Sequence, residues 1–212
     1  MDLATAIQKP FTDIKKLLIG IVLSIVPIVN FFSIGFSLES SGLGRNKKSA
    51  KMPEWDEWGD YFIKGLFAFV IGLLYAVPGV LIILVAIGGA IFTMVGQGMM
   101  SGNMAQILPS LLAYGPIFLF GLLVLVLGSY VSSAAVLSYL EAKDFGKAFA
   151  FGKVFKKAFT GTFFAAWLVS VIGSVVLLMI LGWIPYLGGA IAGFILGVFS
   201  YTLLGEAYAS IR

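Results

Sequence analysis

Four carboxylates fall within one short run: Glu54, Asp56, Glu57 and Asp60. Oxygen ligands at such density are the composition of a divalent-cation site, or of a docking face for a basic partner. The same run opens at Pro53 and carries Trp55, Trp58 and Phe62 at helical spacing. It therefore also reads as an interfacial helix over 53–64, with a solvated acidic face that complements its own N-terminal dipole. That second reading is the expectation, with Trp55 and Trp58 as anchors at headgroup level. A second cluster is Met94, Met99, Met100 and Met104. Thioethers suit copper(I), but the chain has neither cysteine nor histidine to complete such a site, and methionine is a common apolar filler. A third is serine: Ser129 with Ser133, and Ser170 with Ser174, each pair sharing a helix face. Such hydroxyls can line a polar solute path, or bond to neighbouring helices and their own backbone. No activated nucleophile, paired carboxylate or metal cluster stands out at membrane depth. The expectation is a chain with no catalytic residue, no metal and no cofactor.

The elements that carry these residues are set by an apolar solvent. Of the 212 residues 60% are hydrophobic and 11% charged, against about 25% charged in soluble domains. Mean hydropathy is +1.04. The hydropathy predicts one all-α, polytopic membrane bundle over 1–212. Its spans are 65–96, 115–140, 161–183 and 186–208. A helix over 65–96 would be nearly 50 Å long, more than a hydrocarbon core of about 30 Å. It must tilt, kink at Pro78, or run past the bilayer. The apolar stretch 17–38 is interrupted by Pro27 and Asn30. Lys9, Lys15 and Lys16 before it, with the small residues Ser33 and Gly35 at cleavage spacing within it, also resemble a signal peptide; the segment is taken as retained.

Charge sets the orientation. Lysines and arginines gather before residue 17, over 45–64, over 143–157 and at Arg212, while the linkers 97–114 and 184–187 carry no charge. The positive-inside rule places all the basic groups in the cytoplasm. Four spans alternate correctly, but 17–38 has basic flanks on both sides. It is therefore expected to be a re-entrant hairpin turning at Pro27, which cannot donate inside a helix. Both termini are then cytoplasmic, in a multi-pass protein of the cell membrane. IVPIVNFFSIGF around Pro27 weakly matches WIPYLGGAIAGFI around Pro185, the turn between the last two spans.

Two further patterns point to contacts. Over 145–159, Phe145, Phe149, Phe155 and Phe159 alternate with Lys147, Lys153, Lys156 and Lys157. This is the composition of a basic interfacial helix, with Phe155 as anchor and the four lysines on anionic headgroups. Gly189, Gly193 and Gly197 repeat every fourth residue. Small-xxx-small rows allow close helix approach, so this row is expected to pack on another helix, and Gly193 to tolerate a leucine less well than Gly173. Membrane lipids are the expected partners, together with other membrane proteins or a second copy. Nucleic acid is not expected, because the net charge of +4 lies in juxtamembrane segments.

PFTDIKKLLIG, MPEWDEWGDYFIKGL, YAVPGVLI, KAFAFGKVF and LLGEAY, in that order, resemble the Domain of Unknown Function 4013 family. Its members are multi-pass membrane proteins, largely archaeal. The resemblance implies a prokaryotic membrane protein and carries no activity with it. The functional expectation is a non-enzymatic membrane scaffold or accessory protein, with a channel or passive transporter subunit as the alternative.

Overall fold

The computed structural model describes residues 2–44, 50–96, 104–185 and 187–211, without the side chains of 96, 104–108, 110 and 111. Arg45, Lys47, Lys48, Met99, Met100 and Arg212 lie outside the described residues. Among the described residues the chain is helical with no strand: α1 (Leu3–Gln8), α2 (Ile14–Ile25), α3 (Asn30–Glu39), α4 (Trp58–Gly96), α5 (Met104–Ala142), α6 (Phe151–Ala158), α7 (Gly161–Leu181) and α8 (Leu187–Ser210). Four helices are long and apolar enough to cross a membrane, within α4, α5, α7 and α8.

Local chemistry sets the boundaries. Asp13 caps α2, its carboxylate accepting the Lys16 N–H at 3.1 Å. Val26 leaves the helix with extended backbone, as a residue before proline must. The chain turns over 27–29 and re-enters helix at Asn30. Segment 17–38 is thus a hairpin of two short helices, each too short to cross a bilayer alone.

By backbone contacts the chain forms two compact units, Met1–Ile71 with Ser133–Arg212, and Gly72–Ser132. In the first unit α8 is central, packing on α7, α2, α3 and α1. Phe36, Met52, Tyr61, Phe194 and Val198 form a buried core there. Gly20 faces the Phe194 ring so closely that any side chain would collide with it. α3 and the start of α4 approach closely, backbone to backbone. A Cβ on Gly35 would strike the carbonyl of Tyr61, and one on Gly65 the carbonyl of Phe31. In the second unit α4 and α5 pair antiparallel. Gly128 lies against the Tyr75 carbonyl and Gly79 against the backbone of Leu125, and the Thr93 and Tyr114 hydroxyls meet at 3.1 Å.

Three expectations are corrected. Residues 53–57 are not helical, and α4 begins at Trp58. The cause is aromatic: Trp55 stacks on Phe36 at 4.0 Å between ring centroids and donates Nε1–H to the Lys16 carbonyl at 3.3 Å. The Tyr61 hydroxyl donates to the Glu54 carbonyl at 2.5 Å. These bonds draw 53–57 over the hairpin as a strap. Second, the uncharged linker 97–114 is helical from Met104 onward, through Pro109 and Pro116; away from water, backbone groups bond best within a helix. Third, the glycine row on α8 is not a packed seam. Gly189 and Gly193 face open space, and of the three only Gly197 approaches a neighbour, Ser37. Gly173, not Gly193, has a close neighbour, the Phe199 ring at 2.9 Å from an added Cβ.

Candidate functional site

Three charged side chains of the first unit, Lys9, Glu39 and Lys64, are buried, and polar contacts around them join distant parts of the chain. Glu39, at the end of α3, is 2% exposed and ion-paired with Lys64 of α4. Lys64 also reaches Asp60 at 2.5 Å. Lys9 is 3% exposed and donates to the Ser40 carbonyl at 2.8 Å. Asp2 donates its N–H to Glu206 at 2.9 Å. Lys9, Ser40, Thr202, Asp2 and Glu206 line a pocket of about 270 Å³, polar and roomy enough to hold water. Local spacing gave no sign of these pairs. Lys9 and Lys64 read as topology signals, and Glu39 falls in the charged stretch after the apolar run 17–38.

Burial pushes the Lys9 ammonium down to about 8, with Glu206 opposing the shift. In the unfolded chain lysine titrates near 10.4. Between those values the unfolded chain binds the extra proton, so stability rises with pH there. Below about pH 8 the cost of burying the charge is fully present. Thermal unfolding in detergent should therefore show wild type gaining on the order of 2–3 kcal/mol over Lys9→Met between pH 8 and 10.5. Parallel pH curves for the two proteins would remove this assignment.

The four carboxylates of the 54–60 run do not converge. Glu54 bonds Lys16 at 2.5 Å, Asp60 bonds Lys64, and Asp56 lies 3.4 Å from the Tyr61 hydroxyl. These three are directed to different protein groups. The serines behave similarly: Ser129 donates to the Val126 carbonyl, Ser170 to Ala166 and Ser174 to Ser170, at 2.8, 2.9 and 2.8 Å. Ser133 is half-buried.

The basic segment divides into a 3-10 turn, Phe145–Phe149, and α6. Val154 and Ala158 are fully buried against the protein. Phe151, Phe155 and Phe159 stack along one exposed edge with centroids 6.0 and 5.9 Å apart. Lys153 and Lys156 are exposed on the same short helix. Lys147 is exposed and 4.0 Å from Asp144. Lys157 instead turns inward, its Nζ 3.8 Å from the centre of the Tyr208 ring and 3.5 Å from Glu141. Trp58 is exposed at the start of α4, edge-on to Phe32 and stacked on Trp55. Trp55 is half-buried in the core.

The last feature is a groove of about 450 Å³ between the α2–α3 hairpin and α8. Asn30 stands at the hairpin turn, Gly189 and Gly193 form an open wall, and Tyr201 lies further along α8. The hydroxyls of Ser33 and Ser37 face it, already bonded to the Gly20 and Ser33 carbonyls.

Helices of this length and apolarity make this an all-helical, membrane-embedded protein. The chain belongs to the family described as Protein of unknown function (DUF4013), whose model matches residues 18–186. No curated protein and no solved structure matches the chain.

Proposed function

We propose that this protein is a non-enzymatic accessory protein of the cell membrane that organises lipid around its helices, with both termini in the cytoplasm. The observation that carries the reading is α6. Its buried edge fixes it to the protein, while the Phe151–Phe155–Phe159 edge and Lys153 and Lys156 remain exposed. Aromatic rings beside lysines suit the boundary between acyl chains and anionic headgroups. The hydrogen bond between Asp2 and Glu206 supports placing the two ends of the chain on one side, and the basic groups favour the cytoplasmic side. The serine hydroxyls bonded to their own helices favour this reading over a passive polar path.

Each lysine near an anionic surface contributes about 1 kcal/mol. In bilayer discs of mixed neutral and anionic lipid at low salt, Lys153→Glu/Lys156→Glu should therefore weaken anionic-lipid retention by about thirtyfold or more. Retention equal to wild type would contradict the role of α6. The chain contains no cysteine, so single cysteines at residues 2 and 212 report sidedness cleanly. Both should be protected from an external membrane-impermeant thiol reagent. Labelling of either one from outside would overturn the orientation.

A further inference from the structure

We propose that the groove between the hairpin and α8 binds the tail of one membrane lipid, with Asn30 hydrogen-bonding an oxygen of that lipid's glycerol linkage. This rests on the lipid-organising reading and names a second, separate lipid contact. The groove begins beside Gly189, in the first turn of α8, and reaches Tyr201. Twelve residues of helix span about 18 Å. A volume of about 450 Å³ over that length gives a mean cross-section of about 25 Å². A whole helix about 10 Å across has a section of about 79 Å² and does not sit within it. A single alkyl chain, with carbon contacts near 4 Å, needs only about 20 Å².

Position agrees with size. The groove lies along a helix long and apolar enough to span the bilayer, so lipid is the solvent at its mouth. Gly189 and Gly193 have no neighbour within 4 Å of an added Cβ. Their missing side chains are what leave the wall open, in a row that the sequence alone suggests should be packed. Asn30 adds polarity at one end. Its backbone N–H donates to the Val26 carbonyl at 2.8 Å, and its side-chain amide makes no hydrogen bond among the described residues. Its side-chain amide lines the groove beside the first turn of α8, at the end of a spanning helix, where a glycerol linkage lies. Unbonded amides are costly in an apolar phase, and an ester, ether or hydroxyl oxygen would satisfy the amide N–H. The tail then runs along the glycine wall toward Tyr201.

The test uses the full chain in vesicles of phosphatidylcholine carrying a trace of phosphatidylcholine with a photoactivatable diazirine on one acyl chain. Crosslinks are mapped by peptide mass spectrometry. Groove residues Ile34, Ala68 and Ala190 should be labelled about fivefold more than the exposed Ile172 and Met179 of α7, a preference of about 1 kcal/mol. Gly193→Leu fills the groove and should reduce groove labelling to the α7 level without changing α7 itself; Gly189→Leu should do the same. Asn30→Leu removes one hydrogen bond and should lower groove labelling by about threefold to tenfold. Equal labelling of groove and α7, or groove labelling unchanged in both glycine variants, would overturn the tail site. Unchanged labelling in Asn30→Leu would overturn the Asn30 contact. The vesicles carry no anionic lipid, so failure here leaves the α6 reading standing, and loss of the α6 effect leaves this one standing.

Discussion

A single methyl group at Gly35 or at Gly65 should strongly destabilise the first unit. Both glycines sit where α3 crosses the start of α4, and each lies against the other helix's carbonyl oxygen: Gly35 against Tyr61, Gly65 against Phe31. The contact is backbone to backbone. No rotamer change can relieve it, so the helices must separate. Separation would break the stacking of Trp55 on Phe36 and the edge contact of Tyr61 with Phe36. It would also pull Lys64 away from Glu39. Overpacking commonly costs about 1–3 kcal/mol and occasionally more; the upper end or beyond is expected here. Gly193→Ala is the control. It faces open space, and alanine is the better helix former, so its unfolding temperature should equal or exceed that of wild type. Comparable unfolding temperatures for Gly35→Ala and Gly193→Ala would show that the crossing is looser than described.

Loss of Lys64 should have the second largest effect. Lys64→Met removes one ion-pair partner from a Glu39 side chain that is only 2% exposed. Removing one member of a buried pair typically costs about 3–5 kcal/mol. Asp60 softens the opposite change, since its carboxylate is partly exposed and still holds Lys64 in Glu39→Gln. Glu39→Gln should therefore be milder than Lys64→Met. The double variant Glu39→Gln/Lys64→Met should recover much of the loss, since replacing both charges can be nearly neutral. Additive losses in the double variant would show that the two residues act independently.

These contrasts show how far the sequence could be read. Hydropathy alone locates four spanning helices, because twenty apolar residues have one stable conformation in a bilayer. Pro27 marks the hairpin for an equally local reason. The Glu39–Lys64 pair was hidden because its members are 25 residues apart, and no local period connects them. The row Gly189, Gly193 and Gly197 has the spacing of a packed seam, yet spacing does not supply a partner. The seam that forms uses Gly35 and Gly65 on different helices, where each glycine meets the other helix's backbone. Residues 53–57 have an amphipathic pattern, but Trp55 finds a better surface on Phe36 than at a headgroup layer. Lys157 has the same local setting as Lys153 and Lys156; only the folded position of Tyr208 separates it from them.

The most direct test of the account is purification of the full chain from its native membrane, with quantitative identification of what accompanies it. Wild type should retain lipid enriched in anionic headgroups relative to the bulk membrane. The α6 charge-reversal variant should retain lipid of near-bulk headgroup composition, and each should still hold lipid that Gly193→Leu lacks. Wild-type lipid of bulk composition, unchanged by either variant, would contradict the account. So would concentrative solute uptake by this protein alone in vesicles, collapsing when an imposed proton or sodium gradient is dissipated.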